Sequence, residues 1–123
     1  MIRSILAVIV GVFAWFVAAT ILNLVVREVI PGYSAAEESM TFSLAMMICR
    51  LVVGLGSSLA SGFLTKFIAR DMFAPAILAG LMVIMFVPIH YMLWDKFPVW
   101  YHLFFLITLG PAILLGSKLA RRQ

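Results

Sequence analysis

Charge is scarce in this chain. Nine basic and five acidic side chains are spread over 123 residues, so charged residues make up 11% and apolar ones 65%, against about 25% and about 45–50% in globular domains. That excludes an ordinary soluble domain. Cysteine is nearly absent. The single Cys49 has no partner for an internal disulfide, and its place in an apolar run suits a small buried apolar residue. Also missing are a glycine-rich phosphate loop, carboxylates paired deep in an apolar run, and a serine, histidine and acid in a catalytic order. No enzymatic activity is expected, and no cofactor or metal. The net charge of +4 does not point to nucleic acid, because the basic residues are few and lie at the ends of apolar runs.

Those apolar runs dominate the chain. A bilayer core of roughly 30 Å needs about 20 helical residues, and four stretches supply them: 5–26, 40–64, 73–93 and 99–119. A β-barrel would need apolar and polar residues alternating in segments of about ten, and none occurs. The expected fold is an all-α membrane protein, one domain over residues 1–123, with four transmembrane helices in an up-down bundle. Arg3 precedes the first run, which from Ile5 to Val26 is about 22 residues long. A cleaved signal has an apolar region of about 7–15, so an uncleaved first helix is expected.

The connections carry turn chemistry. Pro31-Gly32 turns the chain after span 1, and Ser34 with Glu37 fits a capping box for a helix starting near Ala35. Asp71 is placed to cap span 3, with Pro75 in its first turn, where a missing N–H removes no helical bond. Asp95-Lys96-Phe97-Pro98 reads as a tight turn into span 4. Pro88 and Gly110-Pro111 are placed to kink spans 3 and 4.

Basic residues divide unequally between the two sides. Arg3, Lys66, Arg70, Lys118, Arg121 and Arg122 fall on one, Arg27 and Lys96 on the other. Six against two places both termini in the cytoplasm. Tyr91, Trp94, Trp100 and Tyr101 then flank the second outer turn like an aromatic belt.

Two stripes of small residues bear on packing. Gly54, Ser58 and Gly62 recur every four residues in span 2, as do Ala7, Gly11, Ala14 and Ala18 in span 1. Such stripes let helices approach closely, and the two are expected to face each other.

Arg50 breaks the pattern. It interrupts an otherwise apolar span, where a guanidinium costs roughly 2.5–3.5 kcal/mol on insertion scales. It precedes Gly54 by four residues, so it shares the packed face. With span 2 starting near Met40 it would lie roughly 15 Å from the outer end. His90, His102, Thr20 and Asn23 fall at outer depths too, so a polar cavity is expected there. Arg50 would form its floor, and Asn23, His90, Tyr91, Tyr101 and His102 its walls. A planar fork of donors suits an anionic or carbonyl-bearing ligand. The bland alternatives are that Arg50 snorkels to the interface or is neutralised by Glu28, Glu37, Glu38 or Asp95. Two histidines on neighbouring helices can also flank a metal or haem, but without cysteine or an inward carboxylate the metal case is thin.

The segment Phe97-Pro98-Val99-Trp100-Tyr101-His102-Leu103-Phe104-Phe105-Leu106 through Pro111 and Leu114-Leu115-Gly116 resembles the C-terminus of small four-span proteins of bacterial inner membranes. The opening Ile5-Leu6-Ala7-Val8-Ile9-Val10-Gly11 is similar to their N-terminus. The resemblance covers about a third of the chain and implies fold and location only.

The expected role is non-enzymatic: an accessory, assembly or ligand-binding subunit in the lipid bilayer, as a homo-oligomer or with a larger membrane protein. A homo-oligomeric permease or channel for a small anionic or neutral solute, with Arg50 in its path, is the second reading. A haem or quinone carrier using His90 and His102 is the third.

Overall fold

A computed structural model describes residues 2–39, 42–71 and 73–120, with the side chain of Glu37 outside that description. Every regular element is helical among these residues. The elements are α1 (Ile2–Val29), α2 (Tyr33–Ser39), α3 (Leu44–Ala69), α4 (Phe73–Met92), a 3-10 turn (Trp94–Lys96) and α5 (Val99–Leu119). Four of the helices, α1, α3, α4 and α5, are long and apolar enough to cross a membrane.

The helix ends follow local chemistry. Gly32 adopts φ 80°, which an L side chain resists, and its carbonyl accepts from Ala36 N–H at 3.0 Å. That closes the first turn of α2, so the helix begins at Tyr33, one residue before Ser34. Ser34 therefore lies inside the helix rather than at its N-cap, and the Glu37 half of the expected capping box lies outside the described side chains. Residues 40 and 41, where span 2 was expected to start, lie outside the described residues. Helix α3 begins at Leu44, where Ser43 caps it by accepting from Met46 N–H at 3.3 Å.

Helix α3 also runs five residues past the expected end at Leu64, because Thr65 to Ala69 contains neither glycine nor proline. It stops where Arg70 turns left-handed at φ 65°, its N–H donating to the Lys66 carbonyl at 2.7 Å. Asp71 then caps α4, its Oδ1 accepting from Phe73 and Ala74 N–H at 3.1 Å each. Pro88 and Pro111 lie inside continuous helices.

Helix α3 is the hub, packed most extensively on α5 and α1. The span 2 stripe meets α5 more closely than α1, which departs from the expected pairing of the two stripes. A Cβ on Gly62 would collide with the Ile113 carbonyl oxygen, and one on Gly116 with that of Leu59. These reciprocal contacts bring the α3 and α5 backbones together. Helix α1 docks on α3 through its own stripe, with Ala7 and Gly11 buried and Ala14 and Ala18 half-buried. Thr65 Oγ1 donates to the Ala7 carbonyl at 3.3 Å. Ala7, Ala69 and Ala74 form a small separate apolar cluster nearby.

Candidate functional site

Arg50 sits six residues into α3, about 9 Å along the helix at 1.5 Å per residue. The later helix start makes it shallower than the sequence spacing suggested. Two tyrosine hydroxyls accept from it: Tyr101 takes Nε–H and Tyr33 takes Nη1–H, each at 3.2 Å. Tyr33 Oη in turn donates to Asn23 Oδ1 at 3.5 Å. The guanidinium carbon lies 4.7 Å from the Phe42 ring centroid and 5.6 Å from that of Phe97, within cation–π range. Phe42 stacks on Phe97, and Phe97 on Tyr101 at 4.3 Å. Arg50 is thus clasped by aromatic rings from α2, from the segment before α3, from the turn before α5 and from α5 itself. Among the described side chains no carboxylate pairs with it.

Beside this clasp lies a cavity of about 270 Å³. Its walls come from all four long helices: Thr20 and Asn23 of α1, Arg50 and Gly54 of α3, Ile89 and His90 of α4, and Tyr101 and Phe105 of α5. Towards Gly62 it ends on a layer of Trp15, Phe86 and Phe105, whose ring centroids lie 4.8–6.3 Å apart. Trp15 Nε1–H donates to Ser58 Oγ at 3.0 Å, which ties that layer to α3. The cavity is not sealed from the protein surface. Thr20 and Ile89, both on its wall between α1 and α4, are exposed.

The expected wall residues divide. Asn23, Arg50, His90 and Tyr101 line the cavity. Tyr91 does not, for it is 80% exposed and points away. His102 is fully buried behind His90, the two Nδ1 atoms 2.7 Å apart. Trp94 stacks on His102 at 4.8 Å between centroids, and its carbonyl oxygen lies 3.3 Å from His102 Nε2. The 2.7 Å between the Nδ1 atoms is the spacing of a hydrogen bond and is shorter than the roughly 3.4 Å that tetrahedral zinc with bonds of about 2.0–2.1 Å sets between two nitrogens. Of the four aromatics around the second turn, Tyr91, Trp94 and Trp100 are exposed, whereas Tyr101 is buried against Arg50.

Tyr33, Phe42 and Phe97 join the site without having been singled out beforehand. An aromatic residue in a connection gives no signal of its own. The one available clue is that a lone intramembrane arginine needs hydroxyls or rings where no acid is near.

No family model, curated protein or solved structure matches the chain.

Proposed function

We propose that this chain is a small, non-enzymatic integral protein of a bacterial inner membrane that binds a small anionic or carbonyl-bearing ligand at Arg50, as an accessory, assembly or ligand-binding subunit. In this reading the four helices run up and down, both termini are cytoplasmic, and the cavity lies in the outer half. The unequal count of basic residues supports that orientation.

One observation carries the proposal. Among the described side chains Arg50 is oriented by two tyrosine hydroxyls and two aromatic rings and by no acid, and it lines a cavity. A guanidinium has five N–H donors, and Tyr33 and Tyr101 engage one each. Three N–H groups therefore have no partner among the described residues and are open to a ligand, and no described side chain neutralises the charge. An intramembrane charge held this way marks a binding site by default. Exposed Thr20 and Ile89 give a route from the bilayer between α1 and α4, which suits a partly apolar ligand.

A permease or channel would need a polar route past Gly62. The buried serines there bond backbone carbonyls of α3: Ser57 to Val53, Ser58 to Gly54 and Ser61 to Ser58. A path would have to run between subunits of an oligomer rather than through one chain.

Native mass spectrometry on protein extracted gently with its lipids tests the proposal. A retained small ligand or lipid that disappears in Arg50→Leu supports it. A ligand-free chain in a stable complex, with an acid of the other protein cross-linking to position 50, would replace it with a purely structural role for Arg50.

A further inference from the structure

The two histidines fix each other's proton positions. The Trp94 carbonyl oxygen can only accept, so the 3.3 Å contact makes His102 Nε2 the protonated nitrogen. In neutral His102 that leaves Nδ1 as an acceptor. Its 2.7 Å partner, His90 Nδ1, must then carry the proton and donate. Neutral His90 consequently keeps a bare lone pair on Nε2. No described residue bonds that atom, and no fully buried side-chain nitrogen or oxygen lacks a partner. His90 lines the cavity, so the cavity is the open space that the structure offers this lone pair.

We propose that the cavity is bifunctional: Arg50 supplies donors and His90 Nε2 supplies an acceptor, so the ligand is a small aromatic or apolar molecule carrying an anionic or carbonyl oxygen and, separately, a hydroxyl or N–H donor. This rests on reading the cavity as a ligand site and adds the second half of its chemistry. The apolar body of such a ligand lies against Trp15, Phe86 and Phe105. His102 does not touch the ligand. It is a positioning residue that holds His90 in the accepting tautomer, with the Trp94 carbonyl as the anchor of the relay.

The chain has two histidines, so selective ¹⁵N-histidine labelling of a protein without a histidine tag gives four ring nitrogens to assign. In lipid nanodiscs His90 is expected protonated at Nδ1 and bare at Nε2, and His102 the reverse. His102→Phe should release the His90 preference. The opposite tautomers in the unaltered protein would overturn the inference while leaving Arg50 as an anion site.

Binding is then measured with 3- and 4-hydroxybenzoate against the matching methoxybenzoates, which keep the carboxylate and lose the donor. At least one hydroxybenzoate should bind about tenfold more tightly than its methoxy partner, a difference of about 1.4 kcal/mol, and should shift the His90 Nε2 resonance. Equal binding of the members of both pairs overturns the acceptor role of His90 and leaves the ligand reading intact. If no carboxylate probe binds the unaltered protein, the bifunctional site falls, and the Arg50 ligand reading is decided by the native mass spectrometry alone.

Discussion

The two ends of the helix bundle solve opposite problems. Around Gly62, backbone meets backbone: Gly62 lies against the Ile113 carbonyl and Gly116 against that of Leu59. Around Arg50, side chains stand between the helices, and a cavity of about 270 Å³ remains among them. The serines of α3 and the two tyrosines of the clasp follow the same division, although Thr65 reaches across to the Ala7 carbonyl and Thr20 bonds that of Phe16 in its own helix. Ser57, Ser58 and Ser61 donate to carbonyls of their own helix, whereas the hydroxyls of Tyr33 and Tyr101 reach across to Arg50. One end spends its polar groups on packing; the other holds a charge in position. Lipid tails supply no hydrophobic drive for helix association, so close backbone approach at the Gly62 end does the holding, and the Arg50 end is left free to keep a cavity.

The comparison is easiest to break with glycines. A Cβ at Gly62 meets backbone that cannot step aside, whereas a Cβ at Gly54 meets the edge of the Phe105 ring at 2.7 Å, beside the cavity. Overpacking typically costs 1–3 kcal/mol, so Gly62→Ala is expected at or above about 3 kcal/mol and Gly54→Ala near about 1 kcal/mol. Unfolding in mixed micelles, followed by circular dichroism, reads both. Equal losses would mean the two ends are not packed differently.

Much of this division was legible beforehand. The four spans follow from apolar run length, and the Asp71 cap follows from the residue types beside it. The small residues at four-residue spacing marked the packed face of α3, but not its partner. That choice depends on Gly116 of α5 approaching Leu59, a match between distant segments that spacing within one helix does not encode. Arg50 was conspicuous because its burial is costly. Its clasp was less so: Tyr33, Phe42 and Phe97 come from connections, whose path periodicity does not describe. Likewise, His90 and His102 could be placed at similar depths, but not oriented so that one hides the other.

At the Arg50 end the next effect is electrostatic. Tyr101→Phe removes the acceptor of the Arg50 Nε–H. A hydrogen bond to a charged group contributes about 1.5–3 kcal/mol, and that loss is expected. In an Arg50→Leu background the same change should cost little, because the partner is gone. Arg50→Leu itself should insert as well as the unaltered chain or better, since the transfer cost of a guanidinium is removed. A Tyr101→Phe penalty that persists without Arg50 would assign Tyr101 to packing alone.

Trp15 marks the border between the ends. Trp15→Phe keeps an aromatic ring in the layer beneath the cavity and deletes the N–H that reaches Ser58. Ser58 still donates to the Gly54 carbonyl at 2.7 Å, so it is not left without a partner. The expected loss is about 1 kcal/mol, that of a typical neutral hydrogen bond. A loss of about 3 kcal/mol or more would place the indole in the tight packing of the Gly62 end rather than at its edge.

The smallest effect sharpens the contrast, because it is a gain beside the end where added atoms cost most. Arg70 occupies the left-handed region at φ 65°, exposed between α3 and α4. A non-glycine residue there costs roughly 1–2 kcal/mol, and glycine removes that cost. Against it stands the greater freedom of glycine in the unfolded chain, about 0.4–1 kcal/mol. The balance predicts that Arg70→Gly stabilises by about 0.5 kcal/mol in the same micelle assay. The cap itself is unaffected, because the bond to the Lys66 carbonyl comes from backbone N–H, which glycine keeps. One basic residue is lost from the side counted as cytoplasmic, leaving five against two, so the predicted orientation stands. Measured destabilisation would mean that the Arg70 side chain, rather than the backbone turn, holds the junction of α3 and α4. A glycine gain here beside an alanine penalty at Gly62 would show that this end of the bundle is limited by space between helices and not by the turns that join them.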